Sequence, residues 1–355
     1  MIYGDQQLKN VVAGAAFLGA GGGGSPMQGN KLVNEVIEAD KKVEVRPPNE
    51  VPDDGFVASV YGMGAPSASR LGYRNEHLRA HEMFNERYSK KIEFVVPFEI
   101  GAGNSAVPLH SGAFMGVPVV DGDGAGRAVP ELQLTTYDIY GVPISPMSIA
   151  GASGEGGMLY VKTAEAAESI GRVITHFFGD MAGCVSYPMD GSTLKKVVIP
   201  DTLSLCEKTG GIIHRLKPSG DAISNELQKK MGMVELGRGL VTKKETTARG
   251  GFDYGHVEVK GKKDTLKVLF KNENIIALRN GKIVAMMPDL VCWVSERGEP
   301  LTNADVKKGQ RIIALGMGAN KLVRTPKAIA AFSHLYTEQG RREQFKPMEK
   351  LPASG

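Results

Sequence analysis

The sequence predicts an α/β N-terminal domain with a mainly parallel sheet, followed by a smaller, mostly β C-terminal domain. Two observations carry this. Up to about residue 215, continuous Val and Ile runs of strand length alternate with segments of helical period, which is the pattern of a parallel sheet covered on both faces. Beyond that point the texture changes to short alternating runs broken by Gly, Arg-Gly and Asn-Gly, the pattern of consecutive antiparallel strands.

Taken in order, "DQQLKNVVAGAAFLG" reads as a helix and runs into the glycine stretch "FLGAGGGGSP", Phe17–Pro26. Ser25 and Pro26 fit an N-cap and a first helical position, so a second helix, "NKLVNEVIEA", follows. Consecutive glycines carry a backbone-entropy cost that a simple turn does not require. Gly21, Gly22, Gly23, Gly24 and Ser25 are therefore expected to present bare backbone to a bound anion or flat ring. The run has neither a GxGxxG in a βαβ frame nor a GK[ST] ending, so no nucleotide is expected.

"KVEVR" (Lys42–Arg46) and "GFVASVYG" (Gly55–Gly62) read as strands, the latter ending in Gly62 and Gly64 with the hydroxyls of Ser67 and Ser69 beyond. In the helix "NEHLRAHEMFNERYSK", His77 and His81 stand at i, i+4. With Glu76 and Glu82 beside them and no HExxH pattern, they read as a solvated face rather than a metal pair. "IEFVVPFE" (Ile92–Glu99) is a strand that ends on Glu99, passes Gly101 and Gly103, and enters a helix at Asn104 or Ser105. His110 on that helix is expected to face the same strand ends.

"GVPVV" is the next strand, and "DGDGAGRAVPEL" leaves its carboxyl end. Alternate residues of an extended segment face one way, so Asp121 and Asp123 are expected to point together. Arg127 offers a clamp for a substrate carboxylate or a partner for Asp123. Glu131 shares its face if a helix begins there with Pro130 in its first turn. Two readings of the aspartates stay open: catalytic base or metal ligands, or a turn pair that caps the next helix. "TAEAAESIGRVITHFFG" and "DAISNELQKKM" complete the helices, and "LRNGKI" marks a tight hairpin. The domains are placed at residues 1–220 and 221–340, with a polar tail at 341–355.

A net charge of +4 without a basic stripe, and aromatics at only 6%, argue against nucleic acid. No apolar run is long enough to span a bilayer and no signal peptide is evident, so no membrane association and a cytoplasmic location are expected. The three cysteines are too far apart for a zinc or disulfide framework. Exposed edges in the β domain and the apolar "AIAAFSHLY" segment make a homo-oligomer the expected state.

The blocks "FLGAGGGGSP", "VVPFEIGAGNSAVPL", "PVVDGDGAGRAVPELQL", "GGFDYGHVEVKG", "LFKNENIIAL" and "MMPDLVCWVSERGEPL" resemble the ordered signatures of the S-methyl thiohydantoin desulfurase family, over residues 5 to 340. The resemblance implies two domains and hydrolysis of an S-methylated thiohydantoin ring, releasing methanethiol and leaving a hydantoin. It also implies relatives encoded beside hydantoinase- and oxoprolinase-type enzymes. The glycine run ends here in Ser25 where many relatives carry Asp.

Together these readings predict a hydrolase cleaving a C–S or C–N bond of a small thiohydantoin- or hydantoin-like ring. Asp121 or Asp123 is the expected base or divalent-metal ligand, with Glu99 and Glu131 as further carboxylates. Asn104, Arg127, His110 and the glycine loop are the expected substrate contacts. The alternative is an accessory subunit that partners a hydantoinase- or oxoprolinase-type enzyme.

Overall fold

The computed structural model describes residues 1–64 and 74–351. Ser67 and Ser69 lie outside the described residues. In chain order the N-terminal part runs β1 (Ile2–Tyr3), α1 (Asp5–Leu18), α2 (Pro26–Glu38), β2 (Val43–Arg46), β3 (Phe56–Gly64), α3 (Glu76–Arg87), β4 (Phe94–Pro97), α4 (Ala102–Met115), β5 (Val119–Val120) and β6 (Gly122–Asp123). It continues through α5 (Thr136–Ile139), β7 (Met147–Ala150), β8 (Gly156–Leu159), α6 (Ala164–Phe177), β9 (Met181–Asp190), α7 (Gly191–Val197), β10 (Ile199–Pro200), α8 (Thr202–Leu216) and α9 (Gly220–Met231). The remainder is β11 (Val234–Arg249), β12 (Phe252–Lys260), β13 (Thr265–Lys271), β14 (Glu273–Arg279), β15 (Lys282–Met286), β16 (Leu290–Ser295), β17 (Pro300–Leu301), β18 (Arg311–Met317) and α10 (Pro326–Glu338).

The first sheet has eight strands in the order β1-β2-β5-β4-β3-β9-β7-β8. It is mixed rather than mainly parallel. The pairs β2–β5, β5–β4 and β4–β3 are parallel, as expected where α3 and α4 carry the chain across between neighbours. The pairs β1–β2, β3–β9, β9–β7 and β7–β8 are antiparallel. Both faces are buried: Ala58, Val60 and Val95 join one core with α1, α2 and α4, while Val57, Tyr61, Met63 and Val96 join another beneath α6 and α10. The period-2 alternation of β3 and β4 thus feeds two cores at once.

The C-terminal part is an eight-stranded antiparallel sheet ordered β15-β14-β13-β12-β11-β18-β16-β17. β16 shows how it joins the first unit: Leu290, Cys292 and Val294 face the core with α1, whereas Val291 and Trp293 face the sheet's own interior. The α1–α8 packing needs bare backbone on both sides, since a Cβ on Gly14 would overlap the Cys206 carbonyl and one on Gly210 the Asn10 carbonyl. Among the described residues, no helix is long and apolar enough to cross a membrane.

Candidate active site

A cavity of about 70 Å³ opens where β3 and β4 end and β14 of the C-terminal sheet meets them. It is several times the space one water needs. One wall is backbone. Gly23 and Gly24 lie against Gly101 and Gly103 so closely that a Cβ on Gly23 would overlap the Gly101 Cα. Gly23 has φ +78°, a conformation glycine adopts at little cost. Its carbonyl accepts the Gly103 N–H at 3.0 Å and the Asn104 N–H at 3.1 Å, satisfying the first turn of α4.

Glu99 stands at the centre of this arrangement and is 4% exposed. Its Oε1 accepts from the Asn104 amide at 2.7 Å and its Oε2 from the Val129 N–H at 2.7 Å. Asn104 is itself held by the Gly62 N–H, which donates to its Oδ1 at 2.9 Å. Burial pushes the Glu99 carboxyl up to about 8, against the pull of those two donors.

Glu273, the first residue of β14, faces Glu99 from the C-terminal sheet. It is 3% exposed, it lines the same cavity, and its Oε2 has no hydrogen-bond partner among the described residues. A Cβ on Gly22 would overlap its carboxyl group, so the bare backbone of the glycine loop makes room for this side chain. Burial, and then the Glu99 charge, hold its carboxyl well above the ordinary range.

Arg127 lies fully buried beside both carboxyls. Its guanidinium spends its donors on main-chain carbonyls: Nε on Ala128 at 3.0 Å, Nη1 on Asp289 at 2.8 Å and Nη2 on Asn274 at 2.8 Å. It joins the two sheets and supplies one positive charge to the carboxyl pair.

Two further carboxylates at the rim are already paired. Glu131 bonds the Lys271 ammonium and accepts from His334 Nε2 at 2.9 Å. Burial alone would raise its carboxyl, but the hydrogen bonds from His334 and Lys271 lower it. Glu168 pairs with Arg172 at 2.6 Å, and Arg172 also donates to the carbonyls of Gly64, Pro130 and Gly251.

Comparison with known families decides the relationship. The S-Me-THD-like N-terminal domain matches residues 6–161 and the S-Me-THD-like C-terminal domain residues 162–336. The chain belongs to the S-methyl thiohydantoin desulfurase-like family. Its fold is similar to the crystal structure of a protein from Chromobacterium violaceum, with a TM-score of 0.87 at 24% identity over 98% of this chain and 100% of the other. No curated protein matches the chain.

In this member of the S-Me-THD-like family, the residues singled out from sequence separate into two groups. Glu99, Asn104, Glu131, Gly23 and Gly24 line the cavity. Asp121 and Asp123 do not line it. Asp121 Oδ1 accepts the N–H groups of Leu203 at 2.9 Å and Ser204 at 3.1 Å, and its Oδ2 the Ser204 hydroxyl at 2.5 Å, so it caps α8. Asp123 Oδ1 accepts the N–H groups of Ala125 and Gly126, both at 2.5 Å, closing its own turn. Burial raises the Asp123 carboxyl to about 7, with those hydrogen bonds opposing. Among the described residues, the group whose possible ligand atoms converge is instead Glu131, His334 and Glu338, and there the Lys271 ammonium bonds both glutamates.

Arg127 pairs with neither Asp123 nor Glu131, because no helix begins at Pro130: Glu131 only precedes a short 3-10 turn, Leu132–Leu134. Ser25 caps α2, with its Oγ accepting the Gln28 N–H at 3.2 Å, and Gly21 packs on Asn303. His110 faces away from the cavity. Its Nδ1 meets His77 Nε2 at 2.9 Å and its Nε2 meets Glu35 at 3.1 Å. His77 and His81 are not solvated: both are fully buried between α3 and α4, with His81 Nδ1 on the Ser111 hydroxyl at 2.9 Å. Glu273, Tyr61, Glu168 and Arg172 line the cavity without having been singled out. The signal for Glu273 was "FKNEN", a carboxylate flanked by buried-strand texture.

Proposed function

We propose that this chain hydrolyses a small, flat cyclic amidine of the S-alkyl thiohydantoin type, with Glu99 as the base that activates water. The observation that carries the reading is Glu99 itself: a buried carboxyl at the end of a parallel strand, held by an amide and a backbone N–H, and raised into the range where general bases work. Membership of the S-Me-THD-like family supports the ring and the bond. A strand end beside helix N-termini is where α/β sheets bind ligands.

The chemistry asked of the site is limited. Water must lose a proton as its oxygen bonds the ring carbon between the two nitrogens, and the thiolate must depart. Asn104 keeps one Glu99 oxygen turned toward α4, and the glycine wall lets the planar ring lie against backbone. The test is methanethiol release from 2-methylthio-imidazolin-4-one. Wild-type protein is expected to release it, with kcat/KM rising through about pH 8. Glu99→Gln should lower turnover by about 100-fold or more with an unchanged near-UV circular dichroism spectrum. Full activity in that variant, or no release by the folded wild-type protein, would overturn the reading.

A further inference from the structure

The carboxyl pair across the domain boundary supports a division of labour, which rests on the hydrolytic reading of the same cavity. We propose that Glu273 is the general acid of the reaction, a catalytic residue contributed by the C-terminal sheet, and that Glu99 and Glu273 work as one proton-sharing pair.

The assignment follows from which oxygens are served. Glu99 receives a hydrogen bond on each oxygen, from Asn104 and from Val129. Donors to both oxygens favour the ionised form. Glu273 lines the cavity, and its buried Oε2 has no partner among the described residues, which suits a carboxylic acid whose O–H is not already committed. Charge counting agrees. Arg127 is fully buried and its hydrogen bonds go to main-chain carbonyls, so it balances one negative charge of the pair, and a second would stand uncompensated at a buried position. The charged groups facing Glu273 are Glu99, Arg127 and Arg172, and Arg172 is already matched to Glu168 at 2.6 Å. The working form therefore carries Glu99 ionised and Glu273 protonated.

The step balances. As the water oxygen bonds the ring carbon, Glu99 takes one proton from the water. The C=N electron pair moves to the ring nitrogen, which takes the proton of Glu273. In the second half, the C–S bond breaks with its electron pair going to sulfur, and sulfur takes the proton held by Glu99. The new hydroxyl returns its proton to Glu273 as the carbonyl forms. Substrate and water become hydantoin and thiol, and both carboxyls regain their starting protonation.

The pH profile separates this role from a structural one. With the 2-methylthio-imidazolin-4-one probe, wild-type kcat/KM should rise as Glu99 ionises and fall again at higher pH as Glu273 ionises. Glu273→Gln should lower the plateau by about 100-fold or more and abolish the falling limb alone, whereas a structural loss would lower the curve and keep its shape. A falling limb that survives in Glu273→Gln overturns the proposal. Infrared difference spectra follow the proton itself and do not depend on turnover. Above the Glu99 midpoint, a protonated carboxyl band should be present in the wild type and in Glu99→Gln and absent from Glu273→Gln. A band that persists in Glu273→Gln overturns the assignment of the proton to Glu273 even if the probe is not turned over, while an inert wild type that shows the expected band overturns the hydrolytic reading instead.

Discussion

The Asn104 amide donates to Glu99 Oε1 at 2.7 Å while its own carbonyl oxygen is pinned by the Gly62 N–H at 2.9 Å. β3, β4 and α4 thus meet in one short chain of hydrogen bonds, and the ionisation of Glu99 depends on it. Asn104→Ala removes a donor to the ionised form. A hydrogen bond to a charged group contributes about 1.5–3 kcal/mol and about 1.4 kcal/mol is one pH unit, so the rising limb of kcat/KM should move up by about one unit. A limb that stays in place would show that Asn104 does not set the proton affinity of Glu99.

Asp121 is the N-terminal anchor of α8, and its loss should be read in stability. Asp121→Ala frees the N–H groups of Leu203 and Ser204, and loss of a cap costs about 0.5–2 kcal/mol. Denaturant titration should show that loss, with turnover per folded molecule close to wild type. A variant of full stability without turnover would return Asp121 to the chemistry.

Arg127→Lys should be damaging although charge is kept. Three guanidinium nitrogens reach Ala128, Asn274 and Asp289 in fixed directions, and an ammonium cannot serve them together. Leaving buried carbonyls without donors costs about 1–3 kcal/mol each. A fall of more than about 2 kcal/mol in unfolding free energy is expected, and a loss under about 0.5 kcal/mol would contradict the bridging role.

Stability should also depend on pH in a defined direction. Burial raises Glu99 from 4.5 to about 8 in the folded protein. The native state then binds more protons than the unfolded chain across that interval, and stability falls as pH rises through it. His81 and His110 are lowered by burial from 6.5 to about 4, so their contribution is present above 6.5 and is lost on acidification. Between pH 6.5 and 8 the carboxyl contribution dominates, and unfolding free energy should decline there. Glu99→Gln should flatten that decline. A slope unchanged by the substitution would place the titration elsewhere.

The strand-end design was legible because its elements are local. "FEIGAGN" places Glu99, the glycines and Asn104 within six residues, and the fold preserves that order. What was illegible depends on distant chain. β9 lies antiparallel beside β3 from more than 100 residues away, and Val-rich strands read the same in either orientation. Asp121 and Asp123 sit in a segment that stays extended through Asp123, yet neither lines the cavity. α8 arrives from residues 202–216 to take up Asp121, and Asp123 closes the turn that follows. The solvated reading of His77 and His81 weighed only their acidic neighbours in sequence, whereas α4 and β9 bury that face: Gly183 of β9 lacks the Cβ that would strike the His77 backbone. Glu273 became visible only when β14 was folded against the glycine loop.

The crossing of Gly23 over Gly101 has a consequence for how specificity can change. A wall made of main chain offers no side chain to enlarge, trim or recharge, so under the proposed hydrolysis it would serve as a fixed template for one face of a planar ring. Discrimination among ring substituents would then fall to the side chains that line the rest of the cavity, Tyr61, Met63, Phe98, Leu132 and Met181. Redesign for a bulkier or more polar ring should begin with those five positions.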